Sequence, residues 1–274
     1  MPAQLNKDRI YDVIDDGALT GGVHLFDTVD STNAWSLRQC EQGRELPFVC
    51  FAEHQTKGRG RRGHHWVSPE RSNIYMSLAW AFKLPVNSLG MLSLMQGIAV
   101  VQCLRRFDVE AVEIKWPNDV LVNGAKIAGI LIETTSVRAE SCKAIIGIGL
   151  NYQMPEDIIT ESTMTWTDVA HARPQPLPDR SEIAACLLQQ AMAMCQRYQQ
   201  SAAALVADYS DELEVLVNRS VEVLHEDGRK LTGTTMGLTT QGELRVMIDN
   251  REQRFSSADI SLLPRVQGEN SADH

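Results

Sequence analysis

Four cations and three glycines share the seven residues from Lys57 to Gly63, within the stretch Gln55-Thr56-Lys57-Gly58-Arg59-Gly60-Arg61-Arg62-Gly63-His64-His65-Trp66. Glycine alternating with arginine lets a backbone come close to a ligand while guanidinium groups offer planar, multi-donor faces to phosphate or carboxylate oxygens. In a chain of formal net charge −9 this is a poor solubility device, although basic runs are often merely solvated and a flexible surface loop is the plain alternative. Gly58, Gly60 and Gly63 fit the spacing of a dinucleotide fingerprint, yet a strand-prone segment follows where that motif needs a helix. No P-loop pattern occurs.

A second constellation, Lys115-Trp116-Pro117-Asn118-Asp119, lies between the apolar Val112 to Ile114 and Val120 to Val122. Pro117 interrupts any ladder there, which predicts a bend. Lys115 has the charge to neutralise a phosphoryl or carboxylate oxygen, and Asn118 and Asp119 suit a ribose, a base or a magnesium ion. Turns also favour Pro, Asn and Asp on backbone grounds alone. Lys126 and Gly129 lie across the next turn, and a glycine in a β-prone run marks close approach of a ligand or backbone. Gly147-Ile148-Gly149-Leu150-Asn151 suits a ligand wall or a plain strand exit equally well.

The elements that must carry these residues are legible as periodicities. A helix is predicted from Asp30 to Cys40, capped by Ser31, Thr32 or Asn33. Phe48 to Ala52 reads as a buried strand. Ile74, Met76, Leu78, Trp80 and Phe82 alternate, the pattern of a strand with one packed face, and Tyr75, Ser77, Ala79 and Ala81 form its other face. Ser88 to Phe107 has helical spacing. Asn123-Gly124 between Val120–Val122 and Ala125–Glu133 predicts a type I′ hairpin, with a further strand at Cys142 to Leu150. Beyond a loop punctuated by Pro174, Pro176 and Pro178, the segment Asp179 to Leu216 is mainly helix-forming. Short β-prone runs from Asn218 to Leu263, separated by glycine turns, predict a small antiparallel barrel. The expected division is residues 1–217, 218–264 and a disordered tail, 265–274.

Composition excludes several classes. With 43% hydrophobic and 22% charged residues the chain is an ordinary globular one. No run of eighteen apolar residues occurs, and acidic residues occupy the first twenty positions where a secretory signal needs an apolar stretch. The six cysteines are scattered without a C-x-x-C pair, which points to neither zinc nor a disulfide framework but to reduced thiols in a cytoplasm. An excess of acid, 35 residues against 26 basic, repels nucleic acid at long range.

In order, spacing and nearly every motif residue, these segments resemble the biotin protein ligase family from about Val23 to Asn151, and more loosely to Pro264. The resemblance implies an α+β fold: a mixed-sheet biotin/lipoate ligase catalytic domain, like that of class II aminoacyl-tRNA synthetases, followed by an SH3-like β-barrel. It implies a biotin site lined by Asp30, Ser31, Thr32, Asn33, Gln55, Lys126 and Gly129. The loop residues Gly58, Arg59, Gly60, Arg61, Arg62 and Gly63 would fold over biotin and the α-phosphate, supported by Trp66. Lys115 would meet the reacting carboxylate and phosphate, so that Arg59, Arg61 and Lys115 form the catalytic set. Asn118 and Asp119 would hold the nucleotide, Asp119 being the candidate magnesium ligand, with Asn151 beside the nucleotide and Trp166 stacked on adenine. His64 stands where many relatives have another arginine.

The implied activity uses ATP and Mg2+ to make biotinyl-adenylate, and transfers biotin to a lysine of the biotin carboxyl carrier protein of acetyl-CoA carboxylase. Relatives often dimerise edge to edge, so a homodimer is among the implied partners. Some carry a winged helix-turn-helix of about sixty residues; only thirty precede Ser31 here, and no DNA or membrane partner is expected. The rival enzyme is a lipoate or octanoate ligase, against which the K-W-P-N-D and G-R-G-R-R-G motifs weigh. A non-catalytic biotin sensor and a nucleic acid binder using Lys57 to Arg62 are the other classes; the retained cations argue against the first and the net charge against the second.

Overall fold

The computed structural model describes residues 2–12, 14, 17–156, 158, 165–173, 176–224, 229–256 and 259–262, the last four by backbone course only. The expected tail, 265–274, lies outside them. A short helix, α1 (Lys7–Tyr11), precedes β1 (Gly22–Val29), α2 (Thr32–Glu41), β2 (Phe48–Gln55) and β3 (Asn73–Phe82). Then come α3 (Leu92–Arg106), β4 (Val112–Lys115), β5 (Asp119–Val122), β6 (Ala125–Arg138) and β7 (Ser141–Asn151). The helices α4 (Val169–Ala172), α5 (Arg180–Asp208) and α6 (Ser210–Glu214) lead to the strands β8 (Val217–Leu224), β9 (Lys230–Leu238), β10 (Leu244–Ile248), β11 (Arg251–Phe255) and β12 (Asp259–Leu262).

The first seven strands form one mixed sheet in the order β1-β2-β3-β7-β6-β5-β4. β1 and β2 are parallel, and every other neighbouring pair is antiparallel. The hairpin joining β5 to β6 has Asn123 at φ 50° and Gly124 at φ 79°, the two positive angles of a type I′ turn. The alternation along β3 does not mark one dry face and one wet face. Ile74, Met76, Leu78 and Phe82 join a large apolar cluster with α3 and α5, whereas Ala79 packs in a second cluster with Cys40, Phe48, Ile145 and the α2 residues Trp35 and Leu37. Helices therefore cover both sides, and Tyr75 and Ser77 are buried as well.

Helix boundaries follow local chemistry. Ser31, in extended backbone, caps α2 by accepting from the Ala34 amide at 3.4 Å. The expected helix at 88–107 splits into a 3-10 turn at Val86–Leu89 and α3, because the chain at Gly90–Met91 packs under the turn at Gln241–Gly242. The expected helix at 179–216 breaks at Ser201 (φ −163°) and again at Tyr209. Residues 86–106 are long and apolar enough to cross a membrane, but 67% of that stretch is buried within the fold. Its apolarity is that of a core helix.

The last five strands form an antiparallel sheet in the order β11-β10-β9-β8-β12. Val221, Val223, Leu244, Val246 and Ile248 are its buried alternate residues. It is joined to the first unit by the Trp116 indole N–H, which donates to the Gly242 carbonyl at 3.1 Å, and by Arg219 beside Glu113 at 3.6 Å.

All six cysteines are free thiols and only Cys186 is not fully buried. A hydrogen bond from the Cys103 thiol, with help from Arg106, pulls the Cys186 thiol down from its ordinary range, while burial pushes Cys40, Cys50, Cys142 and Cys195 up. Brief exposure of the native protein to iodoacetamide at pH 7.5 is expected to label Cys186 first, since thiolate is the reacting species. Peptide mapping that found another cysteine labelled sooner would contradict this.

Candidate active site

The side of the sheet that carries α2 also carries the site. Gly129 pairs with Gly149 across β6 and β7, and Trp66 lies on them: a Cβ added at Gly149 would sit 2.4 Å from its Cε2, and one at Gly129 3.0 Å from its Cζ3. A Cβ at Gly147 would sit 2.2 Å from Asn33 Oδ1. The glycines of β7 thus form a wall, as one of the two sequence readings allowed, but side chains of the protein itself press against it. Gly149→Ala is expected to destabilise the fold by about 1–3 kcal/mol through overpacking. Much of that loss should disappear in a Trp66→Ala background, as urea denaturation of the four members of the cycle would show.

The Gly and Arg segment is a tight ribbon, not an open loop. The Trp66 amide donates to Gly58 O at 3.0 Å, the Gly60 amide to His64 O at 2.8 Å and the His64 amide to Arg61 O at 3.0 Å. Arg62 (φ 53°) and Gly63 (φ 79°) make the reversal, the left-handed geometry that glycine accepts without strain. Gly58 is required by contact: a Cβ there would meet Trp66 O at 2.3 Å.

At the head of α2 a polar chain runs under the ribbon. Gln55 Oε1 accepts from the Thr32 amide at 2.9 Å and from its hydroxyl at 3.2 Å, and the Gln55 Nε2 donates to Ser68 Oγ at 3.0 Å. Ser68 in turn donates to Trp66 O. Ser77, buried beneath, donates to Asn33 Oδ1 at 2.6 Å or to Thr32 Oγ1 at 2.7 Å, one proton serving one partner at a time. Asn33 Nδ2 donates to Glu133 Oε2 at 2.9 Å, and Arg59 Nη2 donates to the same oxygen. Asp30 is set apart: it is in a bidentate pair with Arg38 that holds its carboxyl below the ordinary range.

The second constellation meets the first. Arg61 Nη1 donates to Asn118 Oδ1 at 3.0 Å, and Asn118 Nδ2 donates to Ile130 O at 3.0 Å. Asp119 Oδ1 pairs with Lys126 Nζ at 2.6 Å, and that ammonium lies 5.3 Å from the Trp66 ring centre. Lys115 is half-buried at the end of β4. The Trp66 indole N–H is buried with no acceptor among the described residues.

Two of the expected site residues have partners within the fold. Asn151 Nδ2 is engaged by Thr167 O at 3.0 Å, and the 165–167 segment brackets Lys126 with two backbone bonds of 2.9 Å. Asn151 therefore braces the segment bearing Trp166. Ser31 serves as the helix cap. Sequence reasoning missed Ser68, Ser77 and Glu133, because lone hydroxyls and a single strand glutamate carry no motif.

Among the described residues no three His, Cys, Asp or Glu gather as a metal cluster. With Oδ1 of Asp119 on Lys126, one carboxylate oxygen is left. That donor set fits a magnesium ion carried in on phosphates, which needs only one or two protein carboxylates, and not a resident ion.

A mixed sheet with a helix-capped polar pocket, a Gly and Arg ribbon and a Lys-bearing bend defines a class of ligases, and the chain belongs to the biotin/lipoate A/B protein ligase family, whose model matches residues 25–151. Residues 216–263 match the biotin protein ligase C-terminal domain. A bifunctional ligase/repressor of Salmonella typhimurium is 31% identical over 94% of this chain and 78% of its own length. A biotin–[acetyl-CoA-carboxylase] ligase of Mycobacterium tuberculosis is 31% identical over 93% and 98%. A biotin protein ligase from Aquifex aeolicus, solved with biotin and ATP, superposes with a TM-score of 0.72 at 25% identity over 88% of this chain and 98% of that one.

Proposed function

We propose that this protein is a biotin protein ligase that activates biotin with ATP and passes it to a lysine of a biotin carboxyl carrier protein, that of acetyl-CoA carboxylase by the naming of its relative. The observation that carries the reading is the bond between Arg61 and Asn118. It joins two motifs 57 residues apart beside the Asp119–Lys126 pair, so that cations converge from both sides on one polar floor.

In the first step a biotin carboxylate oxygen bonds to the α-phosphorus as the bond to the bridging oxygen breaks and pyrophosphate leaves. Little covalent help is needed, so alignment and charge stabilisation do the catalysis. Thr32, Asn33 and Gln55, with Ser31 capping their helix, line the pocket for the acid. Arg59, Arg61 and Lys115 oppose the charge on the carboxylate and α-phosphate, and the ribbon of Gly58, Gly60, Arg62 and Gly63 excludes water. Asn118, Trp166 and Asn151 flank the nucleotide. Magnesium bound by ATP and Asp119 would neutralise charge on the departing pyrophosphate. In the second step the carrier lysine amine attacks the mixed anhydride carbonyl and AMP leaves.

We assign residues 1–217 to this chemistry and 218–264 to a separate β domain. A homodimer is part of the reading, DNA binding is not, and six free thiols suit a reducing cytoplasm. The test is biotin-dependent exchange of labelled pyrophosphate into ATP, with lipoate and octanoate as competing acids. Exchange with biotin alone supports the reading. Exchange with lipoate alone moves the protein to the sister activity, and none with any acid favours a sensor.

A further inference from the structure

We propose that Glu133 is a positioning residue that couples the Gly and Arg ribbon to the acid-binding helix, so that ordering Arg59 and holding Asn33 become one event. The ligand's identity rests on the biotin protein ligase reading; the coupling itself does not. Glu133 stands on β6 on the same side of the sheet as Gly129 and Leu131, and one oxygen, Oε2, accepts from both Asn33 and Arg59.

The two partners differ in freedom. Asn33 is 3% exposed and wedged against Gly147, with its Oδ1 fixed by Ser77 and its Nδ2 also near Leu131 O at 3.3 Å. Arg59 is a long side chain, 40% exposed, on the ribbon. The rigid amide therefore sets where the carboxylate sits, and the carboxylate sets where the guanidinium sits. From Asn33 the network continues through Ser77, Thr32, Gln55 and Ser68 to the Trp66 carbonyl. Both ends of the ribbon are thus tied to the same few side chains beneath the acid pocket, whereas Arg61 and Asn118 form the separate tie on the nucleotide side.

The ribbon supplies its own probe, since Lys57, Arg59, Arg61 and Arg62 are trypsin sites. In Glu133→Ala, without ligand, the rate of nicking at 57–62 is expected to rise about two- to fivefold, the range for a half-exposed ion pair. Glu133→Gln, which keeps an acceptor for Asn33 but loses the charge, should fall between. In pyrophosphate exchange, KM for biotin should rise by a similar factor and kcat should fall by no more than that factor, because Arg59 also opposes charge at the reacting centre, while KM for ATP stays within about twofold. In an Arg59→Ala background, Glu133→Ala should add less than it does alone.

Unchanged nicking in Glu133→Ala, a rise confined to KM for ATP, or full additivity with Arg59→Ala would overturn the proposal. Should Glu133→Ala fail to fold, Glu133→Gln carries the same comparisons. If no acid supports exchange even in the unaltered protein, the biotin reading fails while the nicking rates still decide the coupling.

Discussion

Arg61→Ala is expected to lower the single-turnover rate of biotinyl-adenylate formation by about 10²–10³-fold, the range for removing one preorganised donor at a centre of developing charge. Arg61 ties the ribbon to the bend through Asn118, so its loss removes a positive charge and a positional constraint together. Lys115→Ala should fall in the same range, because an ammonium at the end of β4 acts on charge and not on packing. Both positions are half-buried and outside the apolar core, so circular dichroism and thermal midpoint should hardly change. The prediction separates chemistry from assembly: the rate of transfer from preformed adenylate to the carrier should fall much less than the rate of its formation. Unchanged adenylation in both variants would remove these residues from the catalytic set.

The largest expected effect on stability lies far from the ribbon. Arg180, the first residue of α5, is 2% exposed in its side chain and pairs at 2.5 Å with Glu53 of β2, itself 1% exposed. Its other bonds go to the carbonyls of Asn73 at 2.9 Å and Ala3 at 2.8 Å, and Glu53 Oε1 accepts from the Leu5 amide at 2.6 Å. One ion pair thereby clasps the N-terminal segment, two strands and the longest helix. Removing one partner leaves a buried charge uncompensated, which costs about 3–5 kcal/mol. Arg180→Met is therefore expected to lower stability by that amount in urea denaturation, and Glu53→Gln by a similar one. The double variant Glu53→Leu with Arg180→Met should recover much of it, because two apolar groups need no counter-charge. A loss under about 1 kcal/mol in Arg180→Met would mean that water reaches the pair.

Much of the fold was legible because its signals are local. The hairpin at Asn123-Gly124, the cap at Ser31 and the alternation along 74–82 depend on neighbours two to four residues away, and all three elements form where expected. Alternation alone could not say that the second side of β3 would be covered by α2, because a period of two distinguishes the faces without naming what lies on either. For the same reason one predicted helix became a 3-10 turn and α3: the break at Gly90 answers to the turn at Gln241 in a different sheet.

The site divides along the same line. The residue types that can oppose phosphate and carboxylate charge, and their grouping into a Gly and Arg segment and a Lys-Trp-Pro-Asn-Asp bend, were determined by the sequence alone. So was the family, since its motifs are contiguous. Only the tertiary structure decided that Arg61 meets Asn118, that Asp119 faces Lys126, that Asn33 and Trp66 occupy the space left by Gly147 and Gly149, and that Glu133 holds Arg59 across 74 residues of chain. The physical reason is that a motif records what a side chain can do, whereas its hydrogen-bond partner is set by which strands lie side by side, and strand order is fixed by the burial of both sides of the sheet and by no single residue in it.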